Sequence, residues 1–289
     1  MKNVLFINGG KRRFADSFHK ACKKFSIECT DIRTRHIIIV ATKEGTSLYY
    51  RGIPINLKNF EYAFFRVKGR GAHISSIISH LLLAYKVPFN DETNTEHVLG
   101  DEKVTQAVLF SLAGVSIPKT IVCSLESYKL NKDIIYREIA FPCVLKTSGS
   151  RGQKVWKVLD ENELETRLKD VTNELSVIQE YIPNTFDIRA LFFYDEYLGA
   201  IKRSSSDGFY NNVAKGGTTE VIDITSEEKE ISQKACSVMK IDFGGVDIVR
   251  TENGPLIFEV NKGPQVYGFE DTTGKNVPEI MLKKITALF

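Results

Sequence analysis

Apolar residues in the first third of the chain recur in two patterns, short continuous runs and one-sided helical spacing. Three runs predict strands, the second and third of them buried: residues 4–7, 37–41 and 62–67. Residues 14–24 and the stretch from Ile74 to Tyr85 have helical spacing. This alternation predicts a small α/β layered unit that ends near Pro88, since proline disfavours helix in the residue before it.

The rest of the chain continues the alternation. A helix is predicted to begin at Asp101, an N-cap candidate, and to stop at Gly114; two more are predicted over residues 160–170 and 226–239. Strands are predicted at residues 141–147, 153–158, 176–180, 188–194, 197–203, 245–250 and 256–261. No internal repeat is visible, and the mixture places the chain in the α/β (α+β) class.

Composition limits the kind of protein further. Of the 289 residues, 43% are apolar and 26% charged, so the chain can bury a sizeable core and is not disordered. It has no apolar run of the length that a spanning helix needs, and its opening residues do not resemble a signal peptide. The sequence predicts a cytoplasmic protein without a membrane partner. The five scattered cysteines are expected to be buried hydrophobes.

The charge is unevenly distributed. Residues 1–95 carry 16 Lys and Arg against 7 Asp and Glu, although the whole chain has 39 against 36. Such a basic region attracts acidic partners, and a solvated surface is the alternative interpretation. A nucleic-acid partner is disfavoured, because the basic residues lack interleaved aromatics.

Three oxygen-bearing residues near the C-terminus form the strongest candidate site. Glu259 and Asn261 lie on one face of a predicted strand, because side chains alternate, and a hairpin through residues 252–254 brings Asp247 beside them. Hard oxygen ligands suit Mg²⁺, which completes its shell with water and nucleotide phosphates. An exposed polar face is the less favoured alternative, since the neighbouring residues are apolar. Zinc is disfavoured, because no histidine pairs with a cysteine at ligand spacing.

Candidates for phosphate binding lie upstream. Lys146 ends the strand before the glycine-containing segment 148–152, and Lys103 lies on the preceding helix. Ammonium groups neutralise phosphate and glycines let amides approach it, although this segment alone is more typical of a plain turn. Arg203 and residues 212–217 supply further cations, an amide and paired glycines suited to a phosphoryl group.

In this order the residues resemble the ATP-grasp superfamily, and most closely its RimK-like carboxylate-amine ligases. The resemblance covers about residues 97–289 in nine colinear motifs. They are Asp101-Glu102-Lys103 with Gly114-Val115 and Pro118, residues 142–146 with 149–152, residues 179–182, 187–189, 202–203, 212–217, 244–248, 254–261 and Thr273-Gly274. Residues 1–95 match only in outline, where Arg66 and residues 68–71 are similar to a basic, glycine-containing segment.

The resemblance implies a fold and its cofactors. The ATP-grasp fold would consist of an N-terminal α/β pre-grasp domain, residues 1–95, followed by two α+β subdomains that clasp ATP. These would be a central lid, residues 96–178, and a C-terminal subdomain with the metal site, residues 179–289. The cofactors would be ATP and two Mg²⁺ ions, with Mn²⁺ as an alternative.

The resemblance also implies a role for each matching residue. The residues that would bind ATP are Lys103, Lys146, Ser148, Gly149, Ser150 and Gly152 at the phosphates, the backbone of Glu180, Tyr181 and Ile182 at adenine, and Asp187 at the ribose. The metal ligands would be Asp247, Glu259 and Asn261. The residues that would touch the γ-phosphate or an acyl phosphate are Arg203, Asn212 and Lys215.

Two positions depart from the family pattern. Asn261 is followed by Lys262-Gly263-Pro264-Gln265, whereas the family usually has Asn-x-Ser-Pro-Gly, so a hydroxyl near the metal or substrate is missing. Lys215 stands where arginine is common. These departures bear on the acceptor substrate more than on ATP or metal binding.

The implied activity is ATP-dependent ligation of a carboxylate and an amine. ATP would convert the carboxylate into an acyl phosphate, which the amine would attack to give an amide or peptide bond, ADP and phosphate. The partners would be a small-molecule or peptide carboxylate and an amine, one of them acidic, and a homo-oligomer is compatible with the sequence. Three alternatives stay open: a small-molecule kinase, a ligase that cyclises a peptide through esters or amides, and a non-catalytic nucleotide-binding protein.

Overall fold

The computed structural model describes most of the chain: residues 2–9, 12–43, 45–67, 71–95, 103–147, 154–171, 175–204 and 218–288, except the side chains of Arg12 and Lys103. The strands are β1 (Lys2–Asn8), β2 (Ile27–Arg33), β3 (Ile37–Thr42), β4 (Gly45–Tyr50), β5 (Ile53–Ile55), β6 (Tyr62–Arg66), β7 (Thr120–Cys123), β8 (Cys143–Thr147), β9 (Val155–Val158), β10 (Ser176–Glu180), β11 (Phe186–Phe193), β12 (Glu196–Ser204), β13 (Thr218–Val221), β14 (Phe243–Thr251) and β15 (Gly254–Lys262). The helices are α1 (Arg12–Lys24), α2 (Ala72–Ala84), α3 (Lys103–Leu112), α4 (Leu125–Leu130), α5 (Lys132–Glu138), α6 (Glu161–Lys169), α7 (Ser226–Val238), α8 (Tyr267–Thr273) and α9 (Val277–Thr286).

The first unit is built on a parallel sheet in the order β2-β1-β6. The apolar run of β1 is buried on both faces, as parallel strands usually are. Val4 and Phe6 share a cluster with α1, whereas Leu5 and Ile7 share another with α2. Strict alternation along one short strand thus attaches a helix to each face, which confirms the predicted α/β layers.

The second predicted strand of this unit is wrong in its burial. Strand β3 forms an antiparallel sheet with β4 and β5, and its Ile38 side chain is 60% exposed. Continuous apolar sequence does not distinguish a strand covered on both faces from one in a surface sheet.

The second unit is an antiparallel sheet in the order β7-β10-β8-β9. One face packs on α4, α5 and α6, with Leu145 and Ile178 in the same cluster as Leu164 and Leu168 of α6. Asp160 caps α6 by accepting a hydrogen bond from the Glu163 backbone N–H, 2.9 Å away.

The third unit is a five-stranded antiparallel sheet in the order β13-β12-β11-β14-β15. Helix α7 covers one face, and α8 and α9 cover the other together with α1 of the first unit. Phe64 of β6 reaches this second face, where its ring centre lies 6.3 Å from those of Phe193 and Phe243. The first and third units therefore share one aromatic core.

Helix α3 joins the second unit to the third. It ends as predicted before Gly114, which has a φ of +67° that suits glycine. Val108 and Leu112 face outward, whereas Gln106 and Phe110 are buried. In the part of the chain that the structure describes, no helix has both the length and the apolar character needed to cross a membrane.

Candidate active site

The β14–β15 hairpin brings the three predicted metal ligands together. Asp247 lies directly opposite Glu259, and Asn261 lies opposite Gly245, two residues further along. The Asn261 amide group approaches Asp247 Oδ2, with 3.5 Å between the nitrogen and the oxygen. The juxtaposition predicted from alternation and a hairpin is confirmed, while metal binding by these residues stays a prediction.

Asp247 has two cationic partners, Arg189 on the neighbouring strand β11 and Arg203 on β12 beyond it. Arg189 Nε donates to Asp247 Oδ1 and Arg189 Nη2 to Oδ2, the latter over 2.8 Å. Arg203 Nη2 is 3.1 Å from Oδ1. Burial by itself would raise the pKa of Asp247, but the two guanidinium groups outweigh it and lower the pKa to about 2. Asp247 is therefore an anion at any physiological pH.

Arg203 links Asp247 to Asp187, the predicted ribose ligand. Arg203 Nε donates to Asp187 Oδ1 over 2.6 Å, and the two residues are register partners on β12 and β11. Burial and the nearby Asp247 raise the pKa of Asp187 to about 6. Burial would lower the pKa of Arg203, but the two carboxylates raise it overall. The register thus produces a polar row across four strands: Arg203, Asp187, Arg189, Asp247 and Glu259.

Lys146 of the second sheet lies beside strand β15, which carries Glu259. Its Nζ donates to Gln179 Oε1 over 2.5 Å and lies 5.7 Å from the ring centre of Phe258, which precedes Glu259. Gln179 is held in turn by the Thr120 hydroxyl, 2.9 Å from its Nε2. The cavity around Lys146 has a volume of about 20 Å³, which is room for about one water molecule.

Helix α3 is fixed to the edge of the same hairpin. Gln106 Nε2 donates to the Val260 carbonyl over 2.8 Å, and Gln106 Oε1 accepts from the Val260 N–H over 2.9 Å. The Ile257 N–H donates to the Ser116 carbonyl just after the helix. Lys103 lies one helical turn before Gln106, so α3 begins beside the strand that carries Glu259.

The predicted adenine segment follows β10 and leads to β11. The Glu180 N–H donates to the Lys119 carbonyl over 2.9 Å, and Lys157 Nζ lies 4.0 Å from the centre of the Tyr181 ring. Ile182 lies in the irregular segment that connects the second sheet to the third. A linker between two sheets has backbone groups outside the ladders, as adenine recognition requires.

The remaining predicted residues lie outside the described part of the chain. These are Ser148, Gly149, Ser150, Gly152, Asn212 and Lys215. Their roles stay predictions.

Two residues of the site were missed in the sequence. Arg189 follows Asp187 at a spacing of two, which puts both on one face of β11; only the register shows that Arg189 pairs with Asp247. Gln106 is a polar residue on the buried side of an apolar helix. A buried glutamine without a polar neighbour on its own helix face indicates that its amide group contacts a backbone group of another segment.

The arrangement of two antiparallel sheets, one with Lys146 and the other with paired acids and arginines, is shared with ATP-grasp enzymes. The ATP-grasp ligase PsnB, solved with its minimal precursor, Mg and ADP, has the same fold, with a TM-score of 0.73 at 16% identity over 98% of this chain and 96% of that one. Residues 100–285 match the RimK-like ATP-grasp domain. The chain belongs to this family.

Two curated relatives are named for their ligase activity. A probable alpha-L-glutamate ligase of a Marinomonas species is 28% identical over 92% of this chain and 89% of its own length. The ribosomal protein bS6--L-glutamate ligase of Escherichia coli is 33% identical over 64% of this chain and 63% of its own length. The chain is an ATP-dependent carboxylate-amine ligase of RimK-like ATP-grasp type.

Proposed function

We propose that the protein joins an acidic amino acid, with L-glutamate as the first candidate, to the carboxylate of a peptide or small molecule. The proposal rests on the polar row of Arg203, Asp187, Arg189, Asp247 and Glu259, and on Lys146 of the other sheet, which lies beside Phe258 of the strand that carries Glu259. Glutamate is suggested by the names of the two relatives, and the basic first third of the chain suits an acidic substrate.

The donor set is chemically suited to magnesium. Asp247 and Glu259 supply carboxylates from opposed strands, and Asn261 supplies an amide oxygen, all of them hard ligands. We infer that these three residues hold Mg²⁺, with Mn²⁺ as an alternative, and that the ion neutralises charge on the ATP phosphates. For the ion to bind, Asp247 has to share its oxygens with Arg189 and Arg203.

The cations of the chain supply the electrostatic part of the reaction. Transfer of the γ-phosphoryl group to a carboxylate gathers negative charge on equatorial oxygens. Lys146 and Arg203 are the described cations we expect to stabilise that charge, and Lys103, Asn212 and Lys215 join them in our proposal. Asp187 holds Arg203 through its Nε, so the guanidinium is oriented before substrate arrives.

The acyl phosphate is then attacked by the amine, with phosphate as the leaving group. Water has to be kept away from the acyl phosphate, since hydrolysis would waste ATP. The two sheets meet closely around Lys146, in a space of about 20 Å³. This close contact supports a site that excludes water when the sheets come together.

The test is an ADP-release screen with mass detection of the product. Purified protein is given Mg-ATP and L-glutamate with mixtures of carboxylic acids and peptides. We expect ADP and free phosphate only when a carboxylate and an amine are both present, and a product whose mass is the sum of the two minus water. Lys146→Met should lower turnover by about 100-fold, whereas Lys129→Met, an exposed lysine on α4, should leave it unchanged.

Other outcomes separate the alternatives. A product that keeps the phosphate on an alcohol would replace the proposal with a small-molecule kinase. Loss of water from a single peptide would indicate a cyclising ligase. Tight Mg-ATP binding without phosphate release in any mixture would indicate a nucleotide-binding protein without turnover. The cytoplasmic location and a homo-oligomeric state stay predictions of the sequence.

A further inference from the structure

Arg66 is a buried arginine whose hydrogen-bonding capacity is largely unused. It ends β6 at the carboxyl edge of the parallel sheet and is 9% exposed. Its Nη2 donates to the Pro264 carbonyl over 2.6 Å, whereas its Nε and Nη1 are buried without a hydrogen-bond partner. Among the described residues, no Asp or Glu side chain forms an ion pair with it. Leaving charged donors unpaired in the interior is costly, so this group is suited to an acceptor from outside the chain.

The guanidinium is held in place by aromatic rings. Its central carbon lies 4.1 Å from the centre of the Phe14 ring and 5.4 Å from that of Phe243. An arginine fixed in this way presents a planar pair of donors that matches a carboxylate. Gly263 leaves room for it, since a Cβ there would lie 3.1 Å from Arg66 Nη1.

A small cavity lies beside Arg66. Its volume is about 90 Å³, and Lys262, Asn94 and Gly9 are among the residues that line it. The Lys262 ammonium lies 3.1 Å from Asn94 Oδ1 on the cavity wall. The space is several times the roughly 10–15 Å³ that a cavity needs to hold one water molecule, which suits a carboxylate with one or two carbons.

Asp91 also lines the cavity, but its carboxylate is already satisfied. Its Oδ1 accepts from the N–H groups of Asp242 and Phe243, each over 2.9 Å, and its Oδ2 accepts from Asn90 Nδ2 over 2.8 Å. Among the described residues that line the cavity, two cations, Arg66 and Lys262, therefore accompany one acid, whose oxygens accept from backbone N–H groups and from Asn90. These lining residues carry a net positive charge.

The cavity adjoins the candidate metal site through Pro264. The Pro264 carbonyl holds Arg66, and its ring packs on Gly245, where a Cβ would lie 2.6 Å from Pro264 Cβ and 3.1 Å from Arg189 Cδ. Arg189 in turn holds Asp247. Lys262 directly follows Asn261 in β15. A substrate that reacts near Asp247 can thus place a second group in the cavity.

We propose that Arg66 and Lys262 bind a non-reacting carboxylate of the amino-acid substrate. This rests on the proposed function, since it assigns one end of the acidic amine substrate to the cavity. It also assigns a role to Lys262 and Gly263, which lie where the chain departs from the family pattern. Lys262 supplies positive charge for the carboxylate, and Gly263 leaves space for the Arg66 guanidinium.

The test compares L-glutamate with its two mono-amides, L-glutamine and L-isoglutamine. Binding to the full chain with Mg²⁺ and a non-hydrolysable ATP analogue is measured by calorimetry, and KM is measured where turnover occurs. One of the two amides should bind at least about tenfold more weakly than glutamate. Equal binding of all three compounds would overturn the proposal.

Variants locate the effect. Arg66→Lys keeps the charge but loses the planar fork, and Lys262→Met removes the second cation; each should raise KM for glutamate about tenfold or more. In both variants, KM for ATP and for the amide that binds more weakly than glutamate should change less than about twofold. Lys283→Met is the control, because Lys283 is an exposed lysine on α9, and all of its KM values should likewise change less than about twofold. If Arg66→Lys fails to fold, Lys262→Met and the amide comparison decide the question.

The two proposals can fail separately. The carboxylate site would be overturned, and the ligase assignment left intact, if glutamate is turned over with the same KM in both variants and both amides bind as well as glutamate. Glutamate binding that depends on Arg66 and Lys262, without any ligated product, would keep the carboxylate site and overturn the proposed function.

Discussion

At the scale of single residues, the site is organised by charge pairs that the sheet register imposes. Asp247 receives donors from Arg189 and Arg203 and is 13% exposed. Removal of one member of such a buried group leaves the others unpaired, which costs about 3–5 kcal/mol. Asp247 is therefore a structural anion in addition to its proposed role with the metal.

Two variants separate these roles. Asp247→Asn keeps the size of the side chain, but the structure indicates that it also removes the charge that pairs with Arg189 and, together with Asp187, with Arg203. We expect it to lower the free energy of unfolding by about 3 kcal/mol and so to confuse stability with activity. Glu259→Gln, on the edge strand β15 and only half-buried, should lower kcat by about 100-fold or more with a nearly unchanged melting temperature.

The control for this pair is Glu252→Gln, an exposed residue in the turn of the same hairpin. Thermal melts and ADP release should both match the unmodified chain. An active Glu259→Gln variant would remove Glu259 from the proposed metal site.

At the scale of elements, the placement of α3 depends on one side chain. Gln106 occupies both backbone groups of Val260 at the edge of β15. An unpaired buried backbone group costs about 1–3 kcal/mol, so a residue that cannot form both bonds should detach the helix from the hairpin.

Gln106→Leu tests this link. We expect a melting temperature lower by several degrees and a KM for ATP raised at least about fivefold, since α3 carries Lys103 and 1.4 kcal/mol corresponds to tenfold in affinity. Gln233→Leu is the matched control, because Gln233 makes a single surface contact with the Asp195 carbonyl. Unchanged constants in Gln106→Leu would show that α3 is held by its apolar face alone.

At the scale of the whole molecule, a pair of aspartates joins the end of the first unit to the third. Asp91 accepts from the Asp242 N–H, and Asp242 Oδ2 accepts from the Asp91 N–H over 2.7 Å. Burial raises the pKa of Asp91 to about 6, despite Lys262 and Arg66, and burial together with Asp91 and Glu92 raises that of Asp242 to about 7. The folded chain therefore holds protons that the unfolded chain releases.

The sign of the pH dependence follows from these raised pKa values. Between about pH 4 and pH 7 the folded state binds more protons, so this pair makes the free energy of unfolding fall as pH rises, by roughly 1.4 kcal/mol per pH unit for each group that stays protonated only in the folded state. Asp242→Asn should flatten the profile of melting temperature between pH 5 and pH 8 and raise stability at the upper end. Asp195→Asn is the control: Asp195 is exposed and Lys284 lowers its pKa, so this variant should leave the profile unchanged between pH 5 and pH 8. An unchanged profile in Asp242→Asn would contradict the assignment of the pH dependence to the aspartate pair.

Much of the secondary structure could be predicted from local pattern. The segments 176–180 and 245–261 were predicted with little or no error. In the second segment, alternation and a short turn at Glu252 and Asn253 specify a hairpin without help from distant residues. Short or weakly apolar elements were missed, among them β7 and α4, since propensity in a few residues is a weak signal.

The order of the amino acids is enough to predict the periodic elements, the hairpin that opposes Asp247 to Glu259, and the series of motifs that resembles RimK-like ligases. The pairing of Asp247 with Arg189 and Arg203, the contact of Gln106 with β15, and the donors of Arg66 that have no partner among the described residues are visible in the folded chain alone. Local periodicity specifies which face a side chain takes within its own element. The partner across a strand or sheet depends on register and packing between segments far apart in the chain, and no local pattern records these.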